Sequence, residues 1–325
     1  MSQTVPENRV DVKDILSKTK AEVGKVIVGY EDQVDDFLTC LLSDGHILME
    51  GVPGVAKTTL SKTLAHVCGL SYKRIQFTQD LLPSDITGHY FYNQRTGEFE
   101  LRKGPLFADF VLADEINRAP PKTQSALLEA MQERQVTIEG NTFPLPDPFM
   151  VIATLNPIET EGVYPLPEAQ VDRFMLKSSM DYLEPARELE ILKLKSRPEN
   201  MAEALLDSMV IDDMKRDVRR VYVHNSILTY VRDLAFATRQ IDDLELGLSP
   251  RGAIHLLQVA QVRAYLLSRG YTIPDDVKLM AHKVMDHRLI LSPEADMEGM
   301  TRGGMTDKIL KEVPVPKGEF KREPR

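Results

Sequence analysis

Short apolar runs alternate with helical spacing through the first half of the chain. Residues 47–49, 110–113 and 149–154 are almost continuously apolar, and polar or turn-forming residues bound each run. Continuous apolar runs of this length are typical of strands that are buried on both faces, as in a parallel sheet. Because helical segments separate the runs, the pattern predicts an α/β fold.

The apolar pattern becomes helical beyond residue 183. Helices are expected over residues 188–195, 205–222, 227–238, 250–268 and 274–287. We therefore predict an α/β domain over residues 1–183 and an all-α domain over residues 184–291. Residues 292–325 are rich in Gly, Pro, Lys and Glu and hold few large apolar residues, which predicts a flexible C-terminal tail.

Smaller elements complete the α/β half. Helices are expected over residues 12–23 and 34–42, before the first strand, and over residues 122–133. Residues 90–99 and 135–143 each alternate around a turn that contains glycine, which predicts two hairpins.

A phosphate-binding loop is predicted directly after the first apolar run. Residues 51–58, Gly-Val-Pro-Gly-Val-Ala-Lys-Thr, match the pattern G-x-x-x-x-G-K-[ST] except at Ala56. In such a loop the backbone N–H groups face the phosphates, Lys57 neutralises their oxygens and Thr58 offers a hydroxyl to Mg²⁺. An alanine is acceptable at position 56 if its backbone is right-handed helical, and that is our expectation. The alternative is a glycine-rich turn with a chance lysine.

Two further strands end in polar residues. Asp114 and Glu115 follow the run 110–113, and Asn156 follows the run that ends at residue 154. Ligands of open α/β sheets bind at the carboxyl ends of the strands. Asp114 can hold a hydrated Mg²⁺, Glu115 can act as the base on a water molecule, and Asn156 can orient that water or contact the γ-phosphate. The alternatives are solvated acids and a turn residue before proline.

Composition narrows the classes of function. The 325 residues are 42% hydrophobic and 27% charged, and the net charge of −9 gives no overall attraction to nucleic acid or to an anionic membrane. No apolar run approaches the ~20 residues of a membrane span, and residues 1–10 lack the apolar segment of a secretory signal. Cys40 and Cys68 lie among apolar residues and are expected to be reduced, and the spacing of the seven histidines predicts no metal site. A cytoplasmic location is the expectation.

Five blocks of sequence together resemble the MoxR family of AAA+ ATPases. They are residues 51–58, 112–140 (LADEINRAPPKTQSALLEAMQERQVTIEG), 153–157 (ATLNP), 164–177 (YPLPEAQVDRFMLK) and 249–252 (SPRG). The resemblance covers nearly the whole chain. It implies a P-loop AAA+ core, with a five-stranded parallel sheet flanked by helices, followed by a helical lid. It also implies a ring, usually of six subunits, with ATP or ADP and Mg²⁺ bound between neighbouring copies.

The resemblance also assigns roles to residues. The catalytic group is Glu115, Asn156 as sensor 1, and Arg173 as an arginine finger offered to the neighbouring subunit. Thr58 and Asp114 hold Mg²⁺, Asp114 through water. The nucleotide-binding group comprises Val28, Gly29, Gly51, Val52, Pro53, Gly54, Val55, Ala56, Lys57, Thr58, Thr59, Asp114 and Arg251.

In that group, residues 28 and 29 pack against the adenine. Arg251 corresponds to sensor 2, and the resemblance leaves open whether Arg251 acts on the nucleotide of its own subunit or on that of a neighbour. Alternatives remain for two of the arginines. Arg173 can instead form a surface pair with Asp172, and Arg118 is either a second contact to the neighbour or a surface charge.

The function that the resemblance implies is ATP-driven remodelling or assembly of client proteins, including insertion of metal cofactors and partners with von Willebrand factor A domains. The hairpin at 90–99 is expected to face the central pore. A nucleic-acid motor is the first alternative, although the chain is acidic and lacks an added DNA-binding module. An ATP-gated scaffold with slow turnover is the second alternative.

Overall fold

A computed structural model of the chain describes residues 12–157, 162–196 and 200–321. The predicted polar N-terminal stretch 1–10 and the last four residues of the predicted tail lie outside these ranges. The strands are β1 (Ile47–Gly51), β2 (Tyr72–Gln76), β3 (Gly88–Asn93), β4 (Glu98–Lys103), β5 (Phe110–Asp114), β6 (Gln135–Ile138), β7 (Asn141–Pro144), β8 (Met150–Leu155), β9 (Leu176–Met180), β10 (Leu244–Leu246) and β11 (Ile290–Leu291).

Helices cover both faces of the main sheet and form the second half of the chain. They are α1 (Val12–Gly24), α2 (Glu31–Leu42), α3 (Lys57–Val67), α4 (Pro83–Thr87), α5 (Pro121–Glu133), α6 (Glu168–Val171), α7 (Pro185–Lys195), α8 (Ser208–Val218), α9 (Asn225–Thr238), α10 (Pro250–Leu266), α11 (Pro274–Met285), α12 (Pro293–Met297) and α13 (Arg302–Glu312). The eight helices and two hairpins that the sequence predicts are confirmed, with shifted ends.

The main sheet has five strands in the order β2-β5-β8-β1-β9, and every neighbouring pair is parallel. Alternate residues of a strand point to opposite faces, so Leu112 and Ile152 enter one apolar core while Val111 and Val151 enter the other. Burial on both faces explains the continuous apolar runs in the sequence. The predicted parallel α/β core is confirmed.

The helical half packs against one face of this sheet. The buried residues of α8 to α11 belong to the same apolar cluster as those of α1, α2 and that face of the sheet. Within this cluster the rings of Phe37 and Phe110 stack, with their centres 4.8 Å apart. A partly buried ion pair joins the two halves, because Lys283 of α11 donates to Asp36 of α2. The exact boundary between the domains, expected at residues 183 and 184, stays a prediction.

The predicted flexible tail is wrong for residues 292–321. Two helices, α12 and α13, lie in this segment, and α13 packs against α9 and α11. Met305, Ile309 and Val313 recur every four residues and are buried, which forms a narrow apolar stripe. Because the segment is rich in Gly, Pro, Lys and Glu, its composition does not reveal such a narrow stripe. The second half of the chain is helical as expected, and β10 and β11 add a small antiparallel pair to it.

Two further features concern the length of the helices and the state of the cysteines. Within the residues that the structure describes, none of the helices has both the length and the apolarity to cross a bilayer. Cys40 and Cys68 are buried and carry free thiols, as expected. Burial raises the pKa of the Cys68 thiol to about 12, so this residue packs as an inert apolar group.

Candidate nucleotide site

The predicted site residues meet at one edge of the main sheet. Asp114 ends β5, Asn156 directly follows β8, and the loop that follows Gly51 leaves β1. Strand β8 lies between β5 and β1, and all three are parallel. Their carboxyl ends therefore bring the acid pair, the asparagine and the loop side by side, with Asn156 in the middle. Asn156 is buried, with 6% of its surface exposed.

The loop takes the backbone shape of a phosphate cradle, and it corrects our expectation for Ala56. Gly54 has a φ of 85° and Ala56 has a φ of 64°, so both residues are left-handed. A left-handed residue with a Cβ costs roughly 1–2 kcal/mol, whereas glycine adopts this region freely. The expectation of a right-handed Ala56 is wrong, because α3 begins only at Lys57 and position 56 still belongs to the turn. The chain accepts this strain at the centre of the loop.

Lys57 and Gly51 close the loop. The ammonium group of Lys57 donates to the backbone carbonyl of Gly51, which holds the side chain across the loop. A Cβ on Gly51 would lie 2.3 Å from the backbone oxygen of Met180 on β9. This glycine is therefore required for packing between strands. Thr58 lies in the first turn of α3, where backbone N–H groups are not paired within the helix.

The carboxylate of Asp114 is oriented on both sides. The hydroxyl of Thr154 donates to its Oδ1 at 2.6 Å, and the guanidinium of Arg74 donates to its Oδ2 from Nε at 3.0 Å and from Nη2 at 2.7 Å. Only 8% of Asp114 is exposed. Arg74 and Thr154 belong to the strands that flank β5. Neither was predicted as a site residue, because both lie inside strands and no sequence motif marks them.

Glu115 is held by three groups. Its φ is 56°, its backbone N–H donates to Oγ1 of Thr154 at 2.8 Å, and its Oε2 accepts from Nε2 of Gln76 at 2.8 Å. Arg118 places its Nε 3.0 Å from the same Oε2. The left-handed backbone turns this carboxylate away from the strand direction. Gln76 was not predicted as a site residue because it is the last residue of β2 and no sequence motif marks that position.

An apolar cavity of about 190 Å³ lies beside the loop. Besides Gly54, Val55 and Ala56, its lining includes Val26, Ile27, Val28, Tyr30, Leu183, Ile191 and Leu194. Gly29 has a φ of 74°, and a Cβ there would lie 2.9 Å from the side chain of Leu183. A flat heterocyclic base is the kind of group that such a pocket accepts. The sequence pointed to residues 28 and 29 but missed the wall that α7 supplies.

A second cavity of about 520 Å³ adjoins the first. Thr58 and Thr59 line it together with the ammonium-bearing residues Lys25, Lys62 and Lys195. Three cations around hydroxyl groups make this space favourable for an anion.

Arg173 and Arg251 lie at the opposite edge of the sheet. Both line a cleft of about 360 Å³ together with Asp44 and His46, which precede β1, and Met175, which precedes β9. The loop 51–58 leaves the other end of β1, and a five-residue strand spans roughly 16 Å. The structure therefore separates these two arginines from the acid pair and the loop of the same chain.

Two family models match the chain, and they define a P-loop protein with a lid. The model described as "ATPase family associated with various cellular activities (AAA)" matches residues 46–176. The model described as "AAA lid domain" matches residues 236–313. The second match extends into the segment that the sequence had predicted as a flexible tail.

Similar proteins narrow the class. The chain is 46% identical to YeaC of Bacillus subtilis over 94% of this chain and 96% of that protein. It is 43% identical to Chaperone MoxR1 of Mycobacterium tuberculosis over 93% of this chain and 82% of that protein. A crystal structure from Cytophaga hutchinsonii matches with a TM-score of 0.88 and 42% identity, over 94% of this chain and 96% of that chain. The chain belongs to the MoxR family of AAA+ ATPases.

Proposed function

We propose that this protein hydrolyses ATP between neighbouring copies of itself in a ring. The observation that carries the proposal is the placement of two incomplete half-sites at opposite edges of one sheet. One edge carries the loop, Asp114 and Glu115, and the other carries Arg173 and Arg251. A second copy, docked edge to edge, brings the two halves together. Arg173 and Arg251 would then both act on the nucleotide of the neighbour.

The loop and the two cavities would hold the nucleotide. The N–H groups of residues 52–58 and the Lys57 ammonium suit the phosphates, and the apolar cavity beside Val28 suits the base. Oxygen ligands suit Mg²⁺, and the chain offers the Thr58 hydroxyl and the Asp114 carboxylate at this edge. When bound, the ion would neutralise charge on the phosphate oxygens.

Glu115 would take the proton from the attacking water. Gln76 and Arg118 hold its carboxylate at hydrogen-bond distance, and Asn156 lies between it and the loop. An arginine that is supplied by a neighbour stabilises the charge on the transferring phosphoryl group and contributes about 10³–10⁵ in rate. Hydrolysis would therefore depend on assembly.

The clients would be other proteins. The hairpin β3–β4 presents Tyr92 and Phe99, with 55% and 71% of their surfaces exposed and their ring centres 5.4 Å apart. An exposed aromatic pair suits contact with apolar side chains. The relative that is named Chaperone MoxR1 supports a chaperone-like role, and we extend this proposal to a six-membered ring, to partners with von Willebrand factor A domains and to metal-cofactor insertion.

A slow ATP-gated scaffold is the second candidate. It is favoured by the engagement of Glu115 with both Gln76 and Arg118, since a carboxylate that is held by two donors must release one of them before it can contact a water molecule. Turnover that stays minimal at high protein concentration and with added clients would favour the scaffold over the remodelling machine.

A subunit-mixing experiment tests hydrolysis between copies. Glu115→Gln keeps the shape of the side chain but removes the base, so this variant should bind ATP without hydrolysing it. Arg173→Ala should lose at least tenfold in kcat alone and regain turnover when mixed with Glu115→Gln, because the latter subunit still offers its own Arg173.

The control is Arg220→Ala, which removes an exposed arginine. Arg220 lies just beyond the end of α8 and pairs with Asp217 of that helix. It should behave like the unchanged protein. Full activity of Arg173→Ala, or a loss that mixing does not restore, would refute hydrolysis between copies.

A further inference from the structure

A buried arginine of the helical half forms several hydrogen bonds with the segment that carries Arg173. Arg288 is only 5% exposed and follows α11. Its Nε donates to Oδ1 of Asp172 at 2.8 Å, and its Nη2 donates to the backbone oxygens of Asp172, at 3.2 Å, and of Phe174. Its Nη1 donates to the backbone oxygen of Met175 at 3.3 Å. One guanidinium therefore contacts three of the four residues between positions 172 and 175, on both sides of Arg173.

The same carboxylate ties that segment to the start of α10. The hydroxyl of Ser249 donates to both oxygens of Asp172, at 2.9 and 3.0 Å, and accepts from the backbone N–H of Gly252 at 3.0 Å as the helix cap. Arg251 places its Nη1 3.6 Å from Oδ2 of Asp172. Asp172 thus joins the segment of Arg173 to the helical turn of Arg251.

The packing around Arg288 leaves little freedom. A Cβ on Gly252 would lie 2.9 Å from Cδ of Arg288, so the glycine lets α10 approach the arginine closely. Nδ1 of His255 and Nε2 of His287 lie 2.7 and 2.8 Å from guanidinium nitrogens. Because arginine only donates, both imidazole nitrogens accept. Burial lowers the pKa of His255 to about 3, so this ring is neutral at physiological pH.

We propose that Arg288 is a positioning residue that holds Arg173 and Arg251 in one fixed arrangement for the neighbour's nucleotide. The inference rests on the proposed hydrolysis between copies. The donors of Arg288 are directed at the chain itself, so it acts through the two arginines. A displacement of about 1 Å in a catalytic group can cost about 10²-fold in rate. A buried, multiply bonded guanidinium is suited to prevent such a displacement.

Three variants of graded severity test the role. Arg288→Lys keeps the charge but loses the planar fork of donors, and Asp172→Asn removes the charge that the fork binds. Ser249→Ala cuts only the link from Asp172 to α10. The matched control is Asp36→Asn, which weakens another ion pair between the two halves, the partly buried one with Lys283, away from Arg173.

The expected pattern separates positioning from folding. Arg288→Lys and Asp172→Asn should bind a fluorescent ADP analogue within twofold of the unchanged protein, because the loop lies at the other edge of the sheet. Their kcat should fall about 10- to 100-fold, and mixing with Glu115→Gln should restore turnover. The kcat of Ser249→Ala should fall by a smaller factor. Asp36→Asn should lower the melting temperature while its kcat changes less than twofold.

Two outcomes would overturn the inference. One is a kcat within twofold of the unchanged protein in both Arg288→Lys and Asp172→Asn. The other is a loss that comes with weaker ADP binding and that mixing does not restore, since that pattern marks a residue needed by the whole fold. Arg173→Ala, assayed in parallel, separates the two proposals. If Arg173→Ala stays active, hydrolysis between copies fails; if it is inactive and rescued while the Arg288 variants stay active, only the positioning role fails.

Discussion

The Nη2 atom of Arg74 lies 2.7 Å from Oδ2 of Asp114, across the neighbouring strands β2 and β5. The same guanidinium also donates to the side chain of Gln76, which in turn donates to Glu115. Both acids at the edge of the sheet are therefore connected to one cation on the adjacent strand. A ligand that draws Asp114 toward itself must compete with Arg74.

Arg74→Gln should strengthen the response to Mg²⁺. The arginine is 46% exposed at its side chain, so its pair with Asp114 contributes only the energy of a solvent-screened ion pair. Its removal should lower the Mg²⁺ concentration at half-maximal ADP-analogue binding by about two- to fivefold. Lys73→Gln is the matched control, because Lys73 is the adjacent exposed residue and points to the other face of β2. Equal midpoints in the two variants would contradict the competition.

Ala56→Gly should not destabilise the protein, in contrast to the same change inside a helix. The left-handed backbone at position 56 costs an alanine roughly 1–2 kcal/mol, and glycine removes that cost while making the unfolded chain more flexible. We expect an unchanged or slightly higher melting temperature. Ala126→Gly, within α5, should lose about 1 kcal/mol because glycine is a poor helix former. Equal losses in urea unfolding would show that residue 56 is right-handed.

Ile309→Ala should destabilise the protein by about 2–4 kcal/mol. The side chain is fully buried in α13, and its truncation leaves a cavity against α9 and α11. Lys311→Ala, two residues further on the exposed side, should change the free energy of unfolding by less than about 0.5 kcal/mol. Chemical denaturation measures both. If this segment were a flexible tail, as the sequence predicted, the two changes would be equally harmless.

The stability of the fold should fall in acid below pH 6.5, in part because of His46. Its Nδ1 accepts from the backbone N–H of Val151, and its Nε2 lies 3.0 Å from the backbone oxygen of Met131. Burial and, to a smaller extent, the charge on Arg134 lower the pKa of His46 from 6.5 to about 3. The folded ring therefore stays neutral while the unfolded one takes up a proton.

The window for this effect runs from pH 6.5 down to about pH 3. Above it the ring is neutral in both states and its contribution is complete; within it each pH unit removes about 1.4 kcal/mol of stability for this histidine. His46→Gln should be less stable at pH 7.5 and should show a slope smaller by about one proton. Urea midpoints measured from pH 7.5 to 4.5 give the slope, and an unchanged slope would refute the assignment.

The sequence alone determined the three central strands of the core and the chemistry at their carboxyl ends. A strand that is covered on both faces must be apolar throughout, so the runs at 110–113 and 149–154 were visible without any partner. The loop at 51–58, Asp114, Glu115 and Asn156 were predictable for a related reason. Each directly follows such a run, and the carboxyl ends of parallel strands lie at one edge. The hairpins and most helices followed from their periodicity.

Only the tertiary structure decided what depends on residues that are distant in sequence. Gln76 and Arg74 contact the acid pair because β2 lies beside β5, and no local pattern carries that pairing. The folded state of α13 depends on three apolar residues that find their partners on α9 and α11. Arg173 and Arg251 lie away from the loop because of how the helical half packs on the sheet. The same packing places Arg288 where it can position both of them. Packing of this kind is set by shape and burial across the whole chain, so the order of residues along one segment does not reveal it.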